Sequence, residues 1–177
     1  MILGIDFSLA ATGVCAITDG EAECVTIGSK KEETWDRFPG RVNSIVDQIV
    51  EWAEPPADVT VVIESPAFTA RSSSLDRMFG GWWLAVAELQ HHLSDPPLLV
   101  TPTQVKKFAT GKGNAGKDEV ILATARRFPD VDVRDNNQTD ALQLAAIGAA
   151  AMGVPFNQGL TKAQEQIVAD IRGKGRN

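Results

Sequence analysis

An acid set inside an apolar strand constrains this chain more than any other feature. Residues 2–7 read Ile-Leu-Gly-Ile-Asp-Phe. The run suits a buried strand, yet Asp has poor strand propensity, and an unpaired carboxylate in an apolar setting costs several kcal/mol or shifts its pKa strongly. Something must compensate Asp6. One reading is a strand-end Asp that accepts the turn amides of Ser8 to Thr12; the other is a functional site. On this residue alone both stay open. Alternating apolar runs at 14–18 and 22–27 flank Asp19-Gly20, which predicts a tight hairpin and three antiparallel strands at the start of the chain. A two-residue turn there sets Cys15 opposite Cys24, and in a reducing compartment they are neighbouring thiols rather than a bridge.

The next segments change period. Residues 36–53 carry Phe38, Val42, Ile45, Val46, Ile49, Val50 and Ala53 at helical spacing before Pro55-Pro56, which predicts a helix that feeds a buried strand over 59–64. Further expectations are a helix over 74–93, a short strand over 98–101 and helices over 105–108 and 117–128 on either side of a glycine-bearing loop. A long Ala- and Leu-rich helix follows over 136–152. The expected fold class is α/β, a mixed sheet of three antiparallel strands then parallel strands, flanked by helices. One domain is expected over 1–153. Residues 154–177 read as a tail with a short amphipathic helix at about 161–171 and a basic end from Arg172 to Arg176.

Charge narrows the partners. Lys and Arg number 17 against 23 Asp and Glu, a formal charge of −6, which argues against coating nucleic acid or membrane by bulk electrostatics. A polyanion would have to be gripped locally. Residues 1–64 hold 4 bases and 12 acids, whereas residues 101–127 hold 6 bases, Lys106, Lys107, Lys112, Lys117, Arg126 and Arg127, against 2 acids. No apolar stretch is long enough to span a membrane, and no basic residue precedes the N-terminal apolar run, so neither a membrane partner nor a secretory signal is expected. The expected compartment is the cytoplasm.

Glu64 ends the buried run 59–63 as Asp6 ends the first strand, and Asp140 lies on the long Ala-rich helix. Three carboxylates from three elements can bind hard divalent cations for phosphoryl chemistry, although any acidic protein offers many such triples. The stretch 101–120 sharpens the signal. Its glycines at 111, 113 and 116 permit close backbone approach to a phosphate, and its four lysines supply point charges, but it lacks the Gly-Lys-Ser/Thr end of a nucleotide-binding P-loop.

Together these residues resemble the RuvC-type Holliday junction resolvases of the ribonuclease H-like superfamily, over about residues 2–152. Gly4-Ile5-Asp6 with Thr12-Gly13, Ile63-Glu64, Val105-Lys106-Lys107 with the 111–117 loop, and Asp140-Ala141-Leu142 match the family's motifs. The resemblance implies a ribonuclease H-like catalytic domain with Asp6, Glu64 and Asp140 as metal ligands, Lys117 as a catalytic cation, and Lys106 near the scissile region. It implies two Mg²⁺ per site, with Mn²⁺ able to substitute, a homodimer, branched DNA as partner and no small-molecule cofactor. Three residues depart from the pattern. Phe7-Ser8 stands where cellular members have Pro-Gly, and Asn137 stands where the family carries an acid. The absence of surplus positive charge fits bacteriophage members better than bacterial ones.

Asn137, three residues before Asp140, is expected to face the metal, because an amide oxygen can ligate a hard cation, while Asp135 with Gln138 has the spacing of a capping box. Phe68, Arg71, Lys106, Lys107, Lys112 and Lys117 are the candidate DNA contacts, with Phe68 open between stacking on a base and plain packing. The Gly80-Gly81-Trp82-Trp83 stretch is open between a dimer seam and core packing. His91-His92 read as a solvated helix end. The expected activity is metal-dependent cleavage of four-way and other branched DNA by paired nicks. The rivals are a related nuclease acting on RNA and an inert branched-DNA binding module. Gly4-Ile5-Asp6 with Thr12-Gly13 also resembles the first phosphate loop of the actin and sugar-kinase superfamily, but 177 residues leave no room for its two domains.

Overall fold

A computed structural model of the chain describes residues 1–30, 34–66, 75–156 and 159–174. β1 (Ile2–Asp6), β2 (Ala11–Thr18) and β3 (Glu21–Gly28) form the expected antiparallel meander, and β4 (Thr60–Glu64) and β5 (Leu98–Val100) extend it in parallel. The sheet order is β3-β2-β1-β4-β5. Asp19 and Gly20 both take positive φ, 52° and 87°, as the central residues of a two-residue hairpin turn require. Thr18 therefore pairs with Glu21, and Cys15 with Cys24. Both thiols are free, and a hydrogen bond with Cys24 and burial push the Cys15 thiol upward.

Alternation along the strands sends side chains to two separate cores. Leu3, Ile5, Val14, Val61 and Ile63 face α1 (Phe38–Ala53) and α2 (Leu75–Gln90), while Ile2, Cys15, Ile17 and Val62 face α5 (Asn136–Met152). α5 lies unusually close to the strands. A Cβ on Gly4 would fall 2.3 Å from the Ala141 carbonyl oxygen, and one on Gly148 would fall 2.6 Å from Val62 Cγ2. Glycine on both sides, together with the buried Ala141, Ala145, Ala146 and Ala149, lets helix and sheet backbones meet almost directly.

Several boundaries differ from expectation for identifiable reasons. The strand expected over 98–101 stops at Val100, because Thr101 caps α3 (Pro102–Thr110): its hydroxyl accepts the Gln104 N–H while the Gln104 side chain accepts the Thr101 N–H. Thr-Pro-x-Gln is a capping-box signature, so the helix is longer than the apolar run suggested. A 3-10 turn at Trp35–Arg37 precedes α1, which ends at Glu54 in the left-handed region just before Pro55. α4 (Lys117–Arg127) follows the glycine loop. In the expected tail, α6 (Lys162–Lys174) buries Ile167, Val168 and Ile171 in the same core as α5. Its Arg172 donates to the carbonyls of Ala151 at 2.6 Å and Ala150 at 3.0 Å, closing the C-terminal end of α5. No described helix is long and apolar enough to cross a membrane.

Candidate active site

β1 and β4 are adjacent and parallel, and their pairing ends at Ile5↔Ile63. Asp6 and Glu64 are the next residues on the two strands, so the shared direction of the strands delivers both acids to one edge of the sheet. Asp140 is brought to that edge by α5, which crosses β1 at Gly4. α3 contributes Lys106, and Lys117 is the first residue of α4. These five side chains, with Asn136, Asn137 and Thr139, line one cleft of about 270 Å³ floored in part by Val105, Val120 and Ile121.

The three carboxyls are half-buried and electrostatically uncomfortable. Burial, then repulsion from Asp140, pushes Asp6 up to about 7 against the pull of Lys117. Burial, then Asp6 and Asp140, pushes Glu64 up to about 8 against Lys106. Asp140 is also raised by burial, with Lys117 and Lys106 opposing. Each lysine therefore bears on two of the acids, and neither cancels the shared repulsion. Titratable groups perturbed together in a cleft mark a functional-site candidate.

Asp135 and Asn137 go to different places. Asp135 is the N-cap of α5: its carboxylate accepts the Gln138 N–H at 2.9 Å and the Thr26 hydroxyl at 2.6 Å. The capping box is only half formed, because the Gln138 side chain takes the N–H of Arg134 at 3.0 Å rather than that of Asp135. Asn137 lines the cleft beside Asp140. Asn136 lines it too and was missed in the sequence, although it stands four residues before Asp140, a same-face helical spacing.

The basic segment divides. Lys106 and Lys117 enter the cleft. Lys107 is exposed on α3 outside it. Lys112 pairs with Glu119 at 3.3 Å, and the Arg127 guanidinium lies 5.7 Å from the ring centres of both Phe108 and Phe128. The loop glycines have local structural tasks: Gly111 ends α3 at φ 81°, Gly116 donates to the Glu119 carboxylate at 2.9 Å, and a Cβ on Gly113 would meet Thr103 Cγ2 at 2.6 Å. Phe68 and Arg71 lie outside the described residues. A second cleft of about 510 Å³ shares Asp6, Glu64 and Pro102 with the first and is walled by Phe7, Leu9, Met78 and Trp82.

In α2 the four-residue motif splits as well. A Cβ on Gly81 would approach Leu9 and Phe38 of the same chain at 3.2 Å, whereas Gly80 has open space around it. Trp82 is buried, while Trp83 is 62% exposed and meets the Trp82 ring edge-on. Gly81 and Trp82 thus serve the chain's own core, and Gly80 and Trp83 face outward. His91 and His92 are exposed in the turn after α2.

Among the described residues no three His, Cys, Asp or Glu side chains form a ready-made metal cage; the acids line the cleft from separate walls. The donor set is nevertheless all oxygen, with three carboxyls and an adjacent amide, and a hard divalent cation between them would offset the burial, and for Asp6 and Glu64 the added repulsion, that raises their pKa values. The residues present fit such an ion.

The five-stranded mixed sheet flanked by helices has a ribonuclease H-like fold, with acids from β1, β4 and α5 at one edge. Within that fold class the chain is similar to RuvC proteins. It is similar to a Thermus thermophilus RuvC structure, with a TM-score of 0.64 and 21% identity over 89% of this chain and 99% of that one. A second match, the T. thermophilus RuvC in complex with a Holliday junction substrate, has a TM-score of 0.63 and 18% identity over 89% and 98% of the two chains. In sequence it is 28% identical over 123 residues, 68% of each chain, to the crossover junction endodeoxyribonuclease RuvC of Salinibacter ruber. No family profile matches.

Proposed function

We propose that this chain is a metal-dependent, structure-selective endonuclease that resolves four-way and other branched DNA by paired nicks, acting as a two-fold homodimer in the cytosol. The observation that carries this reading is the convergence of Asp6, Glu64, Asp140, Lys106 and Lys117 on one cleft of a RuvC-like fold. Asp6, Glu64, Asp140 and Asn137 are the residues that would hold two divalent cations, Mg²⁺ with Mn²⁺ able to substitute. Such ions, when bound, activate water and stabilise the leaving 3′ oxygen.

The chain's own cations do the rest. Lys117 projects from the N-terminal end of α4 beside Asp6 and Asp140, where it would neutralise charge that accumulates on the scissile phosphate. Lys106 would contact a neighbouring phosphate and set the strand's position without reading its sequence. Phe68, Arg71, Lys107 and Lys112 would contribute further DNA contacts, and the adjoining apolar cleft would offer surface to sugar and base. Two sites in one particle are needed for symmetric cuts across a two-fold junction.

The test is cleavage of a synthetic four-way junction, a linear duplex and an RNA hairpin, each with Mg²⁺. Symmetric nicks in the junction alone are expected. Tight junction binding without cutting at any Mg²⁺ concentration would make the protein a binding module, and preferential cutting of RNA would move it to another nuclease class.

A further inference from the structure

The indole N–H of Trp82 donates to the backbone carbonyl of Glu64 at 2.8 Å. Trp82 lies on the buried face of α2 with 5% of its surface exposed, and an indole that deeply placed needs a partner for its single donor. Here the partner is the main chain of an active-site residue on another element. The location matters because β1–β4 pairing has ended one residue earlier, at Ile5↔Ile63. Glu64 still pairs with Val100 of β5, and the Ser65 N–H reaches the Val100 carbonyl at 2.8 Å. The last residue of β4 is therefore laddered to one neighbouring strand, while Val62 and Ile63 just before it are laddered to two. Pro66, two residues after Glu64, brings no N–H of its own.

Glu64 also has reason to move. Asp6 and Asp140 repel it, and a terminal peptide tied to the sheet through the Ser65 N–H, with no partner for its carbonyl, would tilt and swing the carboxylate away from them. We propose that Trp82 is a positioning residue for Glu64: its N–H holds the terminal peptide of β4 so that the carboxylate stays in the cleft with Asp6 and Asp140. The proposal rests on the reading of Glu64 as a cation ligand. Partners that orient metal ligands without touching the metal typically contribute 10–100-fold in affinity or activity, because a ligand held in place loses less freedom on binding.

The test is Mn²⁺ binding to the full chain without DNA, by paramagnetic resonance, alongside single-turnover junction cleavage and junction affinity. Trp82→Phe keeps an aromatic ring and removes the donor; benzothienylalanine at position 82 keeps the indole shape and also removes it, and decides the matter if the Phe variant folds poorly. Both should bind Mn²⁺ roughly 10–100-fold more weakly, recover cleavage at high metal and keep their junction affinity. Leu89→Ala, in the same buried cluster of α2, should lower the melting temperature but leave Mn²⁺ affinity unchanged. Wild-type Mn²⁺ affinity in the benzothienyl variant overturns the proposal, as does an equal affinity loss in Leu89→Ala. Glu64→Gln separates the two levels. If it binds Mn²⁺ normally, the ligand reading of Glu64 has failed; if it loses binding while both Trp82 variants keep it, only the positioning role has failed.

Discussion

A Cβ built on Gly13 of β2 falls 2.0 Å from the carbonyl oxygen of Asn137, so the helix that carries Asn137 and Asp140 rests on bare strand backbone. Gly4 stands in the same relation to Ala141. Any side chain at either position must lift α5 off the sheet and carry Asp140 away from Asp6 and Glu64. Gly13→Ala and Gly4→Ala should each destabilise by at least the roughly 1–3 kcal/mol typical of overpacking, and cleavage should suffer more than junction binding. Gly40→Ala in α1, where a Cβ meets nothing within 4 Å, should instead be neutral or stabilising by up to about 1 kcal/mol. Thermal unfolding of the three variants checks this, and a fully stable, active Gly13→Ala would contradict the close contact.

The raised carboxyls make stability depend on pH in an unusual direction. Asp6 near 7 and Glu64 near 8 hold protons that the unfolded chain, at about 3.8 and 4.5, has already released. Between roughly pH 4 and 8 the folded state therefore binds more protons, so stability is greatest at the acidic end and is lost as pH rises through the folded values. The slope is up to about 1.4 kcal/mol per pH unit for a single such group. Chelator-treated protein should melt lower at pH 8 than at pH 5, Asp6→Asn should flatten the difference while abolishing cleavage, and Mg²⁺ should raise the melting temperature more at pH 8. A chelated protein that gains stability from pH 5 to 8 would overturn the account.

Asp135 and Asn137 should separate cleanly. Asp135→Ala removes the cap of α5 and the bond from Thr26, a loss of about 1 kcal/mol or somewhat more, with cleavage retained by the folded fraction. Asn137→Asp adds a negative donor to the cleft and should lower the Mg²⁺ concentration needed for half-maximal cleavage. An unchanged Mg²⁺ titration for Asn137→Asp, with cleavage destroyed in Asp135→Asn at unaltered melting temperature, would reverse the two roles.

Lys106 and Lys117 should differ in kind. Lys106→Ala should mainly weaken junction binding and flatten its salt dependence by about one counterion, whereas Lys117→Ala should mainly slow single-turnover cleavage. Equal binding losses with unchanged chemistry would remove Lys117 from the reaction.

Gly80 and Trp83 form an outward face on α2, and a seam between two copies is expected there. Gly80→Leu should give monomers without loss of the folded core. Sedimentation of wild-type protein as a monomer at micromolar concentration, with and without junction DNA, would count against the seam and against paired nicking.

What the chain states on its own is local. Alternating runs around Asp19-Gly20 specify the hairpin because period and turn chemistry act over a few residues, and an acid ending an apolar strand announces a constrained carboxylate wherever it occurs. Asp6, Glu64, Asp140, Lys106 and Lys117 were recognisable because their motifs resemble those of a known family, and Asp135 as a cap because capping reads over one turn. Other assignments needed the folded molecule. Which lysines enter the cleft depends on α3 and α4 meeting α5, which leaves Lys112 with Glu119 and Arg127 among aromatic rings. The tasks of Gly4 and Gly13 depend on a helix more than a hundred residues later in the chain. Trp82 reaches Glu64 only because α2 packs into the same core as β4. Periodicity reports which face of an element is apolar, but only packing decides which polar groups from distant elements arrive within bonding distance of one another.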